Sequence, residues 1–202
     1  MSGHIIGTMV KFFMRIFFAT IILIFSFQSL TKSDDVTSFE LEGISIGTSL
    51  LDYFSEEEIL KNIRNYGYKN KEFYAVGINK QLEQYDSVDV HLKTSDKNYI
   101  IYSISGATFF ENNINECYKK KKSLTNELNS IFSNIELKQF KKNPMSFDKD
   151  STKESTYFLF ENGDYVKIQC YDWSEKITKE KNWIDHMRVG IAFREFRVWK
   201  RN

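Results

Sequence analysis

The sequence predicts an α+β domain: an antiparallel sheet with helices on one face, built from two tandem units of one helix and three strands. Two observations support this prediction. Apolar residues alternate with polar ones in several short runs, the period of two that is typical of half-buried strands. Each set of such runs follows a segment whose apolar residues recur at helical spacing. We expect residues 34–202 of the 202-residue chain to form this single domain, with halves at about 40–108 and 109–202.

The first 33 residues have the features of a secretory signal peptide. They contain no acidic residue, and Lys11 and Arg15 precede an almost wholly apolar run at residues 16–27. A basic region followed by an apolar run of this length is typical of export signals, whereas a membrane span needs about 20 apolar residues. We therefore expect cleavage before Asp34, a periplasmic or secreted protein, and no stable membrane span after cleavage. An uncleaved anchor is the alternative.

The charge composition argues against a nucleic-acid partner. The chain has 28 basic and 27 acidic residues, a formal net charge of +1. Removal of the signal segment would take away three basic residues and no acidic one, which leaves a formal charge of −2. A nearly neutral protein has no global positive field to attract nucleic acid, so we expect none as a partner.

The first half of the domain is expected to begin with a short strand and a helix within residues 41–66. Ser55 and Glu58 have the spacing of a capping box, which predicts the start of the helix, and Gly67 would end it. Three strands should follow, at residues 73–78, 88–92 and 99–104. Because His91 alternates with the apolar residues of the second strand, we expect its side chain to face solvent.

In the second half, the sequence predicts a helix at residues 113–132 and a long polar loop at residues 139–155. Three strands should follow, at residues 157–160, 165–171 and 187–198. The Asn162-Gly163 pair between the first two of these strands is a strong signal for a tight hairpin turn. In the last strand the apolar alternation changes phase after Phe193, which predicts a bulge near Arg194 and Glu195.

This order of elements, with the Gly-Ile-Ser-Ile-Gly-Thr-Ser sequence at residues 43–49, resembles the β-lactamase-inhibitor-protein-like fold. It also looks like the small outer-membrane lipoproteins that assist β-barrel assembly. The resemblance implies units of a helix and a three-stranded meander. However, no cysteine follows the signal segment as in a lipoprotein, and the second unit lacks the Gly-Thr-Ser motif. The chain is also similar to secreted bacterial proteins that carry the stretches at residues 39–47 and 170–175, which implies a location and no activity.

Two cysteines, Cys117 and Cys170, are present. In an exported chain such a pair suggests a disulfide. Cys117 falls on the apolar face of the second predicted helix. Cys170 is in phase with Val166 and Ile168 on a strand that should pack against this helix. Two buried free thiols are the other interpretation, because unpaired cysteines are commonly buried.

Catalytic motifs are sparse in this sequence. Asp185-His186 could begin a triad or a metal site, but none of the short metalloprotease, redox or hydrolase motifs accompanies the pair. We therefore expect no enzyme activity, no metal and no cofactor. A periplasmic enzyme that uses Asp185 and His186 is the alternative.

Tryptophan and arginine gather towards the C-terminus, and both are frequent at binding hot spots. The candidate binding residues are Trp173, Trp183, Arg188, Arg194, Arg197 and Trp199. Guanidinium and indole groups suit an acidic or aromatic partner. We expect a non-catalytic binding module for an unknown protein or envelope component, with its binding surface on the sheet face opposite the helices. The alternative for these residues is structural: the indoles would close the core, and the arginines would pair with neighbours such as Glu195. The alternative for the whole protein is a structural envelope protein held by an uncleaved anchor.

Overall fold

Eight strands form one antiparallel sheet in the computed structural model, which describes residues 35–111 and 113–201. The strands are β3 (Ile63–Arg64), β4 (Phe73–Gly77), β5 (Ser87–Lys93), β6 (Ile101–Phe109), β7 (Ile135–Pro144), β8 (Thr152–Phe160), β9 (Tyr165–Asp172) and β10 (His186–Ala192). Their order across the sheet is β3-β4-β5-β6-β10-β9-β8-β7. A separate ribbon pairs β1 (Glu40–Leu41) with β2 (Ile44–Ser45). The α+β class and the antiparallel sheet are confirmed, whereas the predicted signal segment lies outside the described residues.

Four α-helices accompany the sheet in the described part of the chain: α1 (Glu56–Lys61), α2 (Ile114–Ile131), α3 (Glu175–Lys181) and α4 (Arg194–Arg201). None of these four helices has the length and apolar composition of a bilayer-spanning segment.

Helix α1 begins with the predicted capping box. The backbone amide of Glu58 donates to Ser55 Oγ (3.3 Å), and the amide of Ser55 donates to Glu58 Oε2 (2.9 Å). The prediction that the helix continues to Gly67 is wrong. The carbonyl of Asn62 accepts a hydrogen bond from the Gly77 amide (2.9 Å), and β3 then pairs with β4. Pairing at the sheet edge therefore ends this helix after two turns.

The polar segment at residues 139–155 was expected to be a loop, and this prediction is wrong for most of its length. Strand β7 continues to Pro144 and β8 begins at Thr152, with these two residues paired. Strand β7 lies at the edge of the sheet and is exposed almost throughout, and its apolar alternation does not continue after Leu137. Proline is tolerated at the end of such an edge strand. The second half therefore contributes four strands.

Helix α2 packs on one face of the sheet, over β9 and β10. Val166, Ile168 and Cys170 of β9 point to this face and belong to the main hydrophobic core. Cys117 and Cys170 form a disulfide between α2 and β9, with their Cα atoms 6.0 Å apart. The predicted bridge is therefore confirmed, and it ties the helix to the centre of the sheet.

The prediction that the last strand continues beyond Ala192 is wrong, because residues 194–201 form helix α4 on the other face of the sheet. Phe196 and Trp199 are one helical turn apart and pack on Phe73. The amide of Arg194 at the helix start donates to Asp164 Oδ1 (2.7 Å). Apolar residues three apart fit a helix as well as an interrupted strand, so the phase change after Phe193 marks the start of α4.

We expect the Cys117→Ala, Cys170→Ala double variant to unfold with a free energy about 2–5 kcal/mol below that of the wild type. The bridge closes a long loop, with 53 residues of sequence separation. Chemical denaturation measures the difference. Reductant should lower the stability of the wild type and leave the double variant unchanged. Alkylation of both cysteines in the denatured, unreduced wild-type protein would contradict the disulfide.

Candidate functional site

A cleft of about 840 Å³ lies on the sheet face opposite α2, bounded by α4 and by strands β7 to β9. Its wall is rich in cations: Lys138, Lys153, Lys167, Arg194, Arg197 and Lys200. Two carboxylates, Glu136 and Glu161, also line it. We refer to this feature as the basic cleft.

The floor of the basic cleft is formed by the side chains of β8 and β9 that point away from α2. In β9, Lys167, Gln169 and Tyr171 alternate with residues that face α2, so they point into the basic cleft. The Gln169 side-chain amide donates to Ser155 Oγ (3.0 Å) and to Tyr157 Oη (3.1 Å) on β8. These bonds hold the floor in a defined arrangement.

Helix α4 forms one wall of the basic cleft. Because Phe196 and Trp199 are buried against the sheet, the rest of the helix surface presents Arg194, Arg197 and Lys200 to the cleft. The Arg197 guanidinium lies 6.0 Å from the ring centroid of Tyr165. Its Nε is buried without a hydrogen-bond partner among the described residues.

Five of the six cations of the basic cleft have no carboxylate partner among the described residues. Lys138 pairs with Glu136 (3.0 Å). Among the described residues, none of the other five forms an ion pair with a carboxylate: Lys153, Lys167, Arg194, Arg197 and Lys200. Like charges without counter-ions in a partly desolvated cleft repel one another, so binding of an anion would relieve this repulsion.

Burial lowers the pKa values of three lysines in the basic cleft, and repulsion from neighbouring cations adds to this for Lys167 and Lys200. Burial, followed by the charges of Lys200, Arg188 and Lys153, lowers the pKa of Lys167 from 10.5 to about 7. Burial also lowers the pKa values of Lys153 and Lys200. An anion in the basic cleft would oppose the repulsion by adding negative charge near these ammonium groups.

Three of the six predicted binding residues lie at or next to this cleft. Arg194 and Arg197 line it. Arg188 points to the same sheet face, where its Nη1 lies 3.7 Å from Asp89 Oδ2 and donates to Ser105 Oγ (3.3 Å). Trp199, which is 7% exposed, is instead part of the small core beneath α4.

Trp173 and Trp183 come together at the far end of the sheet, with ring centroids 4.6 Å apart. Trp183 is 42% exposed and the neighbouring Phe147 is 56% exposed. Tyr171 stacks on Trp173 (5.4 Å) and also lines the basic cleft. We refer to Trp173, Trp183 and Phe147 as the aromatic cluster. Tyr171 connects this cluster to the basic cleft.

Asp185 and His186 each bond to the backbone nearby. The Trp173 amide donates to Asp185 Oδ1 (2.8 Å), and His186 Nδ1 lies 2.8 Å from the carbonyl oxygen of Ile184. The His186 ring stacks on Tyr171 with centroids 4.7 Å apart. Burial lowers the pKa of His186 from 6.5 to about 4.

The expectation that His91 faces solvent is wrong, since its side chain is 4% exposed. It does alternate out of the main core, but Phe196 of α4 covers it with ring centroids 4.4 Å apart. Its Nε2 lies 2.8 Å from Tyr68 Oη, and its Nδ1 has no hydrogen-bond partner in the described residues.

No group of three or more histidine, cysteine, aspartate or glutamate side chains within residues 35–111 and 113–201 is placed to hold a metal ion. No protein-family model, curated protein or solved structure matches the chain. The resemblance to the β-lactamase-inhibitor-protein-like fold therefore stays a prediction.

Sequence reasoning missed all four lysines of the basic cleft: Lys138, Lys153, Lys167 and Lys200. The signal for Lys167 was present, because it lies between Val166 and Ile168 and must point away from α2. Lys153 was hidden by the prediction of a loop, and Lys200 lies just beyond the predicted last strand, in a segment that is helical in the structure. Their convergence depends on the folded position of α4.

The lowered pKa of His186 predicts an acid-dependent loss of stability. Between pH 6.5 and about 4 the unfolded chain binds more protons at this site than the folded protein, so the unfolding free energy falls as pH decreases. His186→Phe keeps an aromatic ring on Tyr171 and removes the titration. Thermal unfolding from pH 7 to pH 4 should show a shallower loss in this variant. Equal slopes in the two proteins would contradict the assignment.

Proposed function

We propose that this protein is an exported, non-catalytic binding module that holds an anionic partner, a protein or another envelope component, in the basic cleft. The observation that carries the proposal is the convergence of five cations that lack a carboxylate partner among the described residues. Surface lysines and arginines usually remain in water or pair with acidic neighbours. Their gathering in one cleft favours an external counter-charge.

Electrostatic complementarity supports this assignment. The mature chain expected after export has a formal charge of −2, so the positive potential is local to one face. This positive potential would attract an acidic partner to the face and orient the partner as it binds. Arg194 and Arg197 offer forked donors that suit carboxylate or phosphate oxygens.

The aromatic cluster gives the partner a second kind of contact. Trp183 and Phe147 are exposed beside Trp173, next to the end of the basic cleft. Exposed aromatic side chains beside arginine are common where proteins bind other molecules. We infer that an acidic group lies in the basic cleft while an apolar part of the same partner contacts this cluster.

The proposed location outside the cytoplasm rests on two features. Residues 1–33 have the pattern of an export signal. The Cys117–Cys170 disulfide is typical of oxidising compartments. These two features together support a periplasmic or secreted location.

The test uses polyglutamate as an anionic probe. We expect Arg194→Ala, Arg197→Ala to bind it at least about tenfold more weakly than the wild type, a loss of about 1.4 kcal/mol. The matched control is Lys120→Ala, Lys122→Ala, which removes the same charge from the exposed surface of α2. Biolayer interferometry at low and high salt measures both, and added salt should weaken wild-type binding.

Circular dichroism would establish that each double variant is folded. Equal losses in the arginine variant and the lysine control would show that only net charge matters. Undiminished binding by the folded arginine variant would overturn the assignment of the basic cleft.

A further inference from the structure

A smaller pocket of about 280 Å³ lies on the same sheet face and shares Lys167 and Lys200 with the basic cleft. We refer to it as the inner pocket. Its polar lining includes His91, Ser103, Ser105, Lys167, Arg188 and Lys200. Strands β5, β6, β9 and β10 each supply part of this set, so the arrangement rests on the rigid centre of the sheet.

The lining of the inner pocket consists mainly of hydrogen-bond donors. Two ammonium groups and one guanidinium carry positive charge, and Ser103 and Ser105 add buried hydroxyl groups. His91 Nδ1 is buried without a partner among the described residues. If Nε2 accepts from the Tyr68 hydroxyl, Nδ1 carries the proton and is a further unpaired donor.

The charges near the inner pocket do not cancel. Asp89 is the carboxylate that contacts Arg188, and it also accepts from Tyr66 Oη (2.8 Å) and lies 4.0 Å from Arg64 Nε. Even if the charge of Asp89 is assigned wholly to Arg188, two positive charges remain when Lys167 and Lys200 are both protonated. A ligand with two negative charges would neutralise them.

The backbone gives Lys167 room to reach the inner pocket. Gly190 of β10 lies between Lys167 of β9 and Ser105 of β6 in the register of the sheet. A Cβ at Gly190 would lie 2.9 Å from Lys167 Cε, closer than side-chain carbons normally approach. The absence of a side chain at this position lets the lysine cross the strand.

We propose that the inner pocket binds the phosphoryl group of a phosphate monoester, whose organic part extends into the basic cleft. The inference rests on the proposed function of that cleft. A monoester dianion carries two negative charges, and its three terminal oxygens accept hydrogen bonds from donors on several sides. A carboxylate has two oxygens and one charge. Inorganic phosphate offers similar oxygens but has no organic part to contact the basic cleft.

The burial and repulsion that lower the pKa of Lys167 to about 7 agree with this assignment. A dianion beside the ammonium group would favour its charged form and relieve the repulsion from Lys200 and Arg188.

Four ligands test the inference by isothermal titration calorimetry at about pH 7, where the second phosphate proton of a monoester, of pKa about 6, is largely lost. Phenyl phosphate, phenyl sulfate and benzoate share one ring and differ in charge and shape, and inorganic phosphate lacks the ring. We expect phenyl phosphate to bind at least about fivefold more tightly than each of the others, a preference of about 1 kcal/mol.

Equal binding of phenyl phosphate and phenyl sulfate would overturn the match to a dianion. Tighter binding of inorganic phosphate would assign the inner pocket to the free anion and overturn the ester. Absence of binding by all four ligands would also overturn the inference, while polyglutamate binding would still support the basic cleft.

Two variants locate the binding. Lys167→Met and Lys200→Met each remove one charge, from a strand and from a helix, and each should weaken phenyl phosphate binding at least about tenfold. The control Lys120→Met removes one charge from the exposed surface of α2, outside both the basic cleft and the inner pocket. Its affinity should stay within about twofold of the wild type. Unchanged affinity in both test variants would contradict the site.

Discussion

Strand β9 contributes to both faces of the sheet, because its side chains alternate between the apolar core beneath α2 and the polar basic cleft. Val166, Ile168 and Cys170 join the main core beneath α2, and the disulfide holds that helix in place. Lys167 and Tyr171 necessarily point to the other face. A shift of register by one residue would bury the lysine in the core, so packing beneath α2 also determines which groups line the basic cleft.

Helix α4 turns this polar face into a cleft. Phe196 and Trp199 anchor the helix over β4 and β6, and its opposite edge carries arginine and lysine above β9. The same apolar contacts bury His91, a residue that would otherwise be solvated. Binding chemistry thus arises where an amphipathic helix crosses a sheet face that is rich in donors and poor in carboxylates.

The sequence predicted the fold class, most strands, the capped start of α1 and the disulfide, because each depends on local periodicity or on the phase of one element. It failed at β7, an edge strand whose apolar alternation does not continue after Leu137, and at α4, whose spacing fits two structures. Of the candidate site, Arg194 and Arg197 were identified from composition alone. Lys167 and the inner pocket were not, since they depend on pairing among strands distant in sequence.

Five cations of the basic cleft gather without a carboxylate partner among the described residues, and the protonation of the buried Lys167 responds to this environment. Its pKa can be followed by NMR of the ¹³Cε resonance across a pH titration, with Lys167→Met to assign the signal. We expect a pKa of about 7 for Lys167 in the free protein. A value near the ordinary 10.5 of lysine would contradict it, because the ammonium group would then be solvated or paired with a carboxylate.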